Sequence, residues 1–329
     1  MSLPVTYARW LEELLGEAPP SEPKATCHDC VMCQPDLPAD RAFNPATRCC
    51  TYVPRMPNFL VGRLLEDPDP ALAPGLRSLQ SRLAGEAAHP LGLELSEAQA
   101  AEYDRLLADE SFGQADIQCP HQRDDGLCGI WKHRNGICAT WFCRHGRGAV
   151  GEAFWDAVQR WLTAIEDVLA EFAARSAYQA RGLAVDAAGL AEGAWGAWPG
   201  TPAEFYRACA DRVAGLDWRA VRRLGGPAVR KRARAVRRTH RALFDERLPP
   251  RLWLAPHDSL DDASPQRRLM AYSGTDWVTV PAALDDLLGT FDGRRVPAAV
   301  AALRSAGCAP DGPLLRALYD QRVLVQNEP

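Results

Sequence analysis

Residues Cys119 to Cys143 read CPHQRDDGLCGIWKHRNGICATWFC, and their four cysteines, Cys119, Cys128, Cys138 and Cys143, are separated by eight, nine and four residues. Upstream, CHDCVMC carries Cys27, Cys30 and Cys33, and Cys49 and Cys50 stand side by side. Nine of the chain's eleven cysteines thus fall within its first 143 residues. Thiols at this density need a chemical reason, and metal ligation is the first to consider. In a reducing compartment clustered thiols read as ligands or redox groups rather than structural disulfides. The odd total also argues against a fully paired disulfide framework.

Composition sets the frame for that reading. At 329 residues, with 47% hydrophobic and 24% charged residues, the chain has the balance of a soluble globular protein and length for two or three domains. A net charge of −4 gives the whole molecule no pull toward nucleic acid or anionic membrane. No apolar run approaches the roughly 18 residues of a spanning helix, and the start MSLPVTYARW lacks a secretory pattern. The expectation is a cytoplasmic protein that needs no cross-links to build its core.

The first cysteine group suits a metal by its spacing. A Cys-x-x-Cys turn lets two sulfurs face one ion while backbone N–H groups stabilise the thiolates. Cys27, Cys30 and Cys33 form a tripod that needs one more ligand. In an extended strand Cys49 and Cys50 would point oppositely, so they read as reaching two centres, or as one ligand and one spare. Nine thiols favour two four-ligand sites over one. His28, His121, His133 and His145 lie near these cysteines but are not needed to fill the sites; they read as supporting or surface residues. Trp131, Trp141 and Phe142 read as core residues or as shielding for the site. Cys209 and Cys308 stand apart and read as small apolar residues.

Around the cysteines the pattern is helical. Residues 4–16 place Tyr7, Trp10, Leu11, Leu14 and Leu15 on one side, before the break APPSEP. Helices follow from Pro57, in LAPGLRSLQSRLAG, and from Ser96, where Ser96 and Gln99 have capping-box form. Asp124-Asp125-Gly126 signals a turn within the mostly irregular cysteine stretch. Phe154, Trp155, Val158, Trp161, Leu162, Ile165, Val168, Leu169 and Phe172 mark the longest helix, ended by Gly182. Residues 219–241 are strongly basic and read first as a solvated helix face or a surface for an acidic partner. In the last seventy residues RLMAYSG and WVTVP read as strands around Gly274. AALDDLLGTF, VPAAVAALRSAG and GPLLRALYD read as helices, and RVLVQ as a closing strand. The expected architecture is mainly α with an irregular cysteine-rich metal-binding region and a small α+β winged-helix-like C-terminal domain. Its expected divisions are 1–150, 151–254 and 255–329.

The cysteine pattern resembles the CxxCxxCC cysteine-cluster family, the YkgJ-like group, described as zinc- or iron–sulfur-binding. Its later motif is matched by Cys119, Leu127-Cys128-Gly129-Ile130-Trp131, Cys138 and Trp141-Phe142-Cys143. The early motif differs, because an insertion containing Cys33 separates Cys27-x-x-Cys30 from Cys49-Cys50. The resemblance covers residues 27 to 145 and implies metal binding without a shared activity. Flagellin lysine N-methylases look similar in their cysteine pattern, which keeps a protein-modifying enzyme among the alternatives. Phe291-Asp292-Gly293-Arg294-Arg295-Val296 resembles the PqqD-like winged-helix domains, which implies recruitment of a peptide.

An all-thiolate donor set selects soft metals, zinc or iron–sulfur. Three close cysteines with a distant fourth follow ferredoxin-like ligand spacing, and no second CxxC knuckle is present for a zinc site. The reading is therefore one or two 4Fe-4S clusters, with zinc as the alternative. Candidate ligands are Cys27, Cys30, Cys33, Cys49, Cys50, Cys119, Cys128, Cys138 and Cys143. The expected role is electron transfer or modification of a peptide or protein recruited by the C-terminal domain. The alternative roles are a zinc-stabilised interaction protein and a methylase-like enzyme. No Gly-rich nucleotide loop, HExxH or Ser-His-Asp arrangement points to a catalytic acid or base.

Overall fold

A computed structural model of the chain describes residues 3–22, 27–84, 88–108, 113–114, 117–261 and 263–329. Pro23, the end of the expected break APPSEP, lies outside them. With 52% helix against 8% strand, the architecture is mainly α, and the described strands are confined to three small sheets. The chain packs into two compact units, Met1–Trp141 with Val158–Ala235, and Phe142–Ala157 with Val236–Pro329. Divisions at 150 and 254 follow chain order, whereas these units exchange segments. The first turns of the longest helix belong with the C-terminal residues.

In the first unit, helix α1 (Val5–Leu15) buries Tyr7, Trp10, Leu11 and Leu14, the stripe that its spacing dictates. Trp10 Nε1 donates to the Leu216 carbonyl at 2.8 Å, so its polar edge is satisfied inside. Strand β1 (Met56–Pro57) leads into α2 (Asn58–Glu66), with Pro57 at the helix cap. Helix α3 (Ala73–Leu83) is followed by β2 (Ala88–His89) and β3 (Gly92–Leu93). These strands form an antiparallel sheet ordered β1-β3-β2, with both Met56 and Ala88 opposite Leu93. Helix α4 (Glu97–Ala108) starts at the expected capping box: Gln99 N donates to Ser96 Oγ at 3.3 Å and Ser96 N to Gln99 Oε1 at 3.1 Å.

The short α5 (Gly136–Thr140) lies within the cysteine stretch, and α6 (Gly148–Ala180) is the long aromatic helix. Its first-unit portion buries Val158, Trp161, Leu162, Ile165 and Leu169, the expected core reading of the stripe. Helices α7 (Ala187–Ala191) and α8 (Pro202–Ala214) follow. The basic segment forms α9 (Trp218–Leu224) and α10 (Gly226–Leu243), which bury Val221, Val229, Ala233 and Val236 and expose Arg222, Arg230, Arg234 and Arg238.

Helices α2 and α8 pack tightly, and Gly62 is the reason they can. A Cβ built there would lie 1.9 Å from the Tyr206 carbonyl oxygen and 2.8 Å from Ala210 Cβ. Next to it, Asn58 is wholly buried and donates to the Pro90 and Ala170 carbonyls, both at 2.8 Å. One side chain thus closes backbone groups from the β2–β3 turn and α6. Together these contacts hold the helical frame of the unit.

The second unit contains β4 (Trp253–Leu254), β5 (Asp258–Leu260), β6 (Gln266–Met270) and β7 (Val278–Pro281). It continues with α11 (Ala282–Asp285), α12 (Val296–Ser305), α13 (Gly312–Asp320) and β8 (Leu324–Val325). Strands β5-β6-β7 form an antiparallel sheet, and β4 pairs with β8. Leu252, Leu269, Val280, Leu284, Leu288, Phe291, Leu303 and Leu318 form its core. The run AALDDLLGTF is not one helix. It is the single turn α11 and a 3₁₀ turn over Leu288–Thr290, with the poor helix former Gly289 inside.

Candidate metal centre

The cysteine region of the first unit has little regular structure, and hydrogen bonds from its backbone position the sulfurs. Cys27 lies on a 3₁₀ turn, Cys27–Asp29, and Cys30 precedes a second, Val31–Cys33, where Cys33 N donates to the Cys30 carbonyl at 3.0 Å. Cys119 N donates to the Cys50 carbonyl at 2.7 Å, joining segments about seventy residues apart in the chain. From there the backbone folds back on itself: Gln122 bridges Cys128, Arg123 N reaches the Leu127 carbonyl at 2.8 Å, and Gly129 N the His121 carbonyl at 2.8 Å. The turn is the expected one at Asp125-Gly126, with Leu127 N bonded to Asp125 Oδ1 at 3.0 Å. Gly126 has φ of +79° and lies so close to the Arg48 guanidinium that a Cβ would fall 1.6 Å from Nη1. Asn135 caps α5 by accepting from Cys138 N at 2.9 Å, and its Nδ2 donates to the Arg55 carbonyl at 2.9 Å.

These constraints bring eight of the nine predicted cysteines within electrostatic reach of one another. Cys50 senses Cys49 by hydrogen bond, and Cys27, Cys119, Cys128 and Cys138 all sense Cys50. Cys30 links the group to Cys33 and to Cys27. Burial pushes the thiols of Cys119 up to about 12 and of Cys128 up to about 11, and Cys138 well above its ordinary value. Cys27 is raised in the same way, and Cys33, beside Cys30, goes up to about 11. Cys50 moves the other way, lowered first by the Cys49 hydrogen bond and then by Arg48 and Arg134. The ninth cysteine, Cys143, lies in the second unit next to Arg144.

Cys49 and Cys50 differ from the expectation for an extended pair. The backbone before them is a turn, and Arg48 adopts φ of +56°, so the two thiols come within hydrogen-bonding reach instead of pointing apart. Two arginines were missed by the sequence reading, although each adjoins or lies between predicted ligands, a detectable signal. Arg48 donates to the Cys27 carbonyl. Arg134, 4% exposed, stacks 3.6 Å from the Trp131 ring and donates to the Cys138 carbonyl at 2.8 Å. Burial lowers its pKa, and the sulfurs of Cys128, Cys138, Cys27 and Cys49 oppose that shift. Trp131 thus lies under a cation of the site. Trp141 is 40% exposed; Phe142, in the second unit, packs against Trp155 with tilted rings whose centroids are 4.7 Å apart.

The histidines have other partners or positions. His121 is buried; its Nδ1 lies 2.7 Å from Ser78 Oγ and its Nε2 3.3 Å from Arg82 Nη1. Arg82 can only donate, so Nε2 accepts and Nδ1 carries the proton. Burial and Arg82 push this imidazole down to about 3, which keeps it neutral. His133 Nε2 pairs with Asp67 at 2.8 Å. In the second unit His145 N donates to Asp276 Oδ2 at 3.1 Å, and His28 lies on the first 3₁₀ turn.

The sulfurs of this group are half-buried or buried, and two arginines lie beside them; thiolates as a class are donors for soft metals. In the geometry described, no three His, Cys, Asp or Glu side chains among the described residues converge on a single ion position. The thiols are gathered but not closed around a point. Compared with family models, curated proteins and solved structures, the chain finds no match.

Proposed function

We propose that the first unit is a thiolate metal-binding module, holding an iron–sulfur cluster on ligands drawn from Cys27, Cys30, Cys33, Cys49, Cys50, Cys119, Cys128 and Cys138. The observation that carries this reading is the convergence of the two cysteine segments on Cys50. Thiols raised by burial are protonated at neutral pH, and a bound cation is what would ionise them. Arg48 and Arg134 suit the negative charge of an iron–sulfur cluster on four thiolates. Bound there, such a cluster supplies one-electron chemistry. The chain's own residues position the sulfurs through the Cys119–Cys50 backbone bond and the Asn135 cap, and balance charge with the two guanidinium groups. The role that follows is electron transfer, or modification of a peptide recruited by the second unit read as a winged-helix-like domain.

Zinc is the second reading. It is favoured by the scarcity of helix and strand between residues 27 and 55, where a structural ion would supply folding energy that regular structure does not. The two readings share one test. Cys50→Ser and Cys128→Ser should each lose at least half of the bound metal measured by elemental analysis. Cys209→Ser, whose thiol is buried on α8 and which is not a candidate ligand, should keep it. Equal metal content in all three variants would remove Cys50 and Cys128 from the site.

A further inference from the structure

Within the first unit, the start of α1, α2 and the 3₁₀ turn Trp131–His133 enclose a cavity of about 390 Å³, within the usual size range of small-ligand sites. One wall is apolar, from Leu3, Val5 and Leu60, and Val5, 85% exposed, marks its rim. The opposite chemistry comes from Arg63, Lys132, His133 and Asp67. Three of these already have partners: Lys132 pairs with Asp69, and His133 Nε2 hydrogen-bonds Asp67 at 2.8 Å, with burial pushing the imidazole toward its neutral form. Arg63 is different. It is half-buried and donates to the Thr6 hydroxyl, and among the described residues it has no carboxylate within ion-pair distance. A half-buried guanidinium on a cavity wall, with donor capacity left over, is a recognition element for a carboxylate.

We propose that this cavity binds a small organic monocarboxylate, its anionic head on Arg63 and its hydrocarbon on Leu3, Val5 and Leu60. Among the described residues, Arg63 is the wall cation left for a ligand: Lys132 is paired with Asp69, and His133, pushed toward its neutral form by burial, hydrogen-bonds Asp67 without cancelling its charge. The Asp67 carboxylate therefore keeps a negative charge in the wall and disfavours a dianion such as phosphate. The apolar wall gives the ligand a hydrocarbon part to bury, which inorganic anions lack. Because Trp131 and His133 belong to the loop between Cys128 and Cys138, occupancy would be sensed close to the candidate metal ligands. The proposal does not depend on which metal is bound there.

The test is saturation-transfer NMR on the full chain with hexanoate and benzoate, their neutral amides, and inorganic phosphate as competitor. Hexanoate or benzoate should bind saturably, with a Kd on the order of 1 mM or tighter. The matching amide should bind at least tenfold more weakly, and phosphate should not compete. Arg63→Met should weaken the carboxylate at least tenfold, and Arg63→Lys, which keeps the charge but loses the fork, should weaken it less. Equal binding of acid and amide, no saturable binding of either acid, competition by phosphate, or unchanged affinity in a folded Arg63→Met chain would each overturn the proposal. The acid–amide comparison in the wild-type chain decides the matter even if the methionine variant fails to fold.

Discussion

Replacing Gly62 with alanine is expected to destabilise the first unit by about 3 kcal/mol or more, the upper range for overpacking. The added Cβ would sit 1.9 Å from the Tyr206 carbonyl oxygen and 2.5 Å from its carbon, which are backbone atoms that no rotamer change can move. The helices α2 and α8 would have to separate, opening the contact that frames the unit. For a unit of this size the thermal midpoint should fall by roughly 6–12 °C. Gly215, at the end of α8 with φ of −91° and nothing within 4 Å of a built Cβ, provides the control. Gly215→Ala should leave the midpoint unchanged or raise it slightly. If Gly62→Ala melts with the wild type, the close approach of α2 and α8 is wrong.

The second large effect concerns pH. Glu166 on α6 is 6% exposed, accepts a hydrogen bond from the Tyr7 hydroxyl, and accepts another from Gly136 N at 2.7 Å. It therefore ties α1 and α6 to the start of α5, the helix that carries Cys138. Both hydrogen bonds favour the carboxylate, but burial outweighs them and raises its pKa from 4.5 to about 7. A carboxyl raised on folding binds its proton more tightly in the folded chain. Its stabilising contribution is fully present below pH 4.5 and is lost as pH rises toward 7. The loss attributable to this group is about 3 kcal/mol, from the size of the shift. Glu166→Gln keeps the acceptor oxygen and removes the titration. Urea unfolding between pH 4.5 and 8 should show the wild type losing stability relative to the variant across that window. Parallel stability curves would show that Glu166 does not titrate as its burial implies.

What could be read from the residues was local. The capping box at Ser96–Gln99, the apolar stripes of α1 and α6, and strands β6 and β7 all follow from short-range pattern, because cap chemistry and periodicity act within a few residues. The nine cysteines stood out as candidate ligands by composition, and eight of them lie in one electrostatic group. Three-dimensional placement was less legible. The left-handed turn at Arg48, which brings Cys49 and Cys50 together, sits on a residue that seldom adopts that conformation, so nothing in its type announced it. Gly62 reads in sequence only as a poor helix former, and its purpose appears with the partner helix. The exchange of segments between the two units depends on contacts far apart in the chain. Arg63, Thr6 and the Trp131–His133 turn meet for the same reason, so the cavity carried no signal in any one stretch.

Elemental analysis combined with acid-labile sulfide, on full-length protein purified without oxygen, tests the central claim most directly. The expected result is brown protein with roughly four to eight irons per chain, as one or two 4Fe-4S clusters require, and sulfide in matching amount. One or two zinc ions without sulfide would contradict the iron–sulfur assignment and leave the structural-zinc reading. A chain that carries neither metal, and binds neither on reconstitution, would contradict the claim that these thiols form a metal centre.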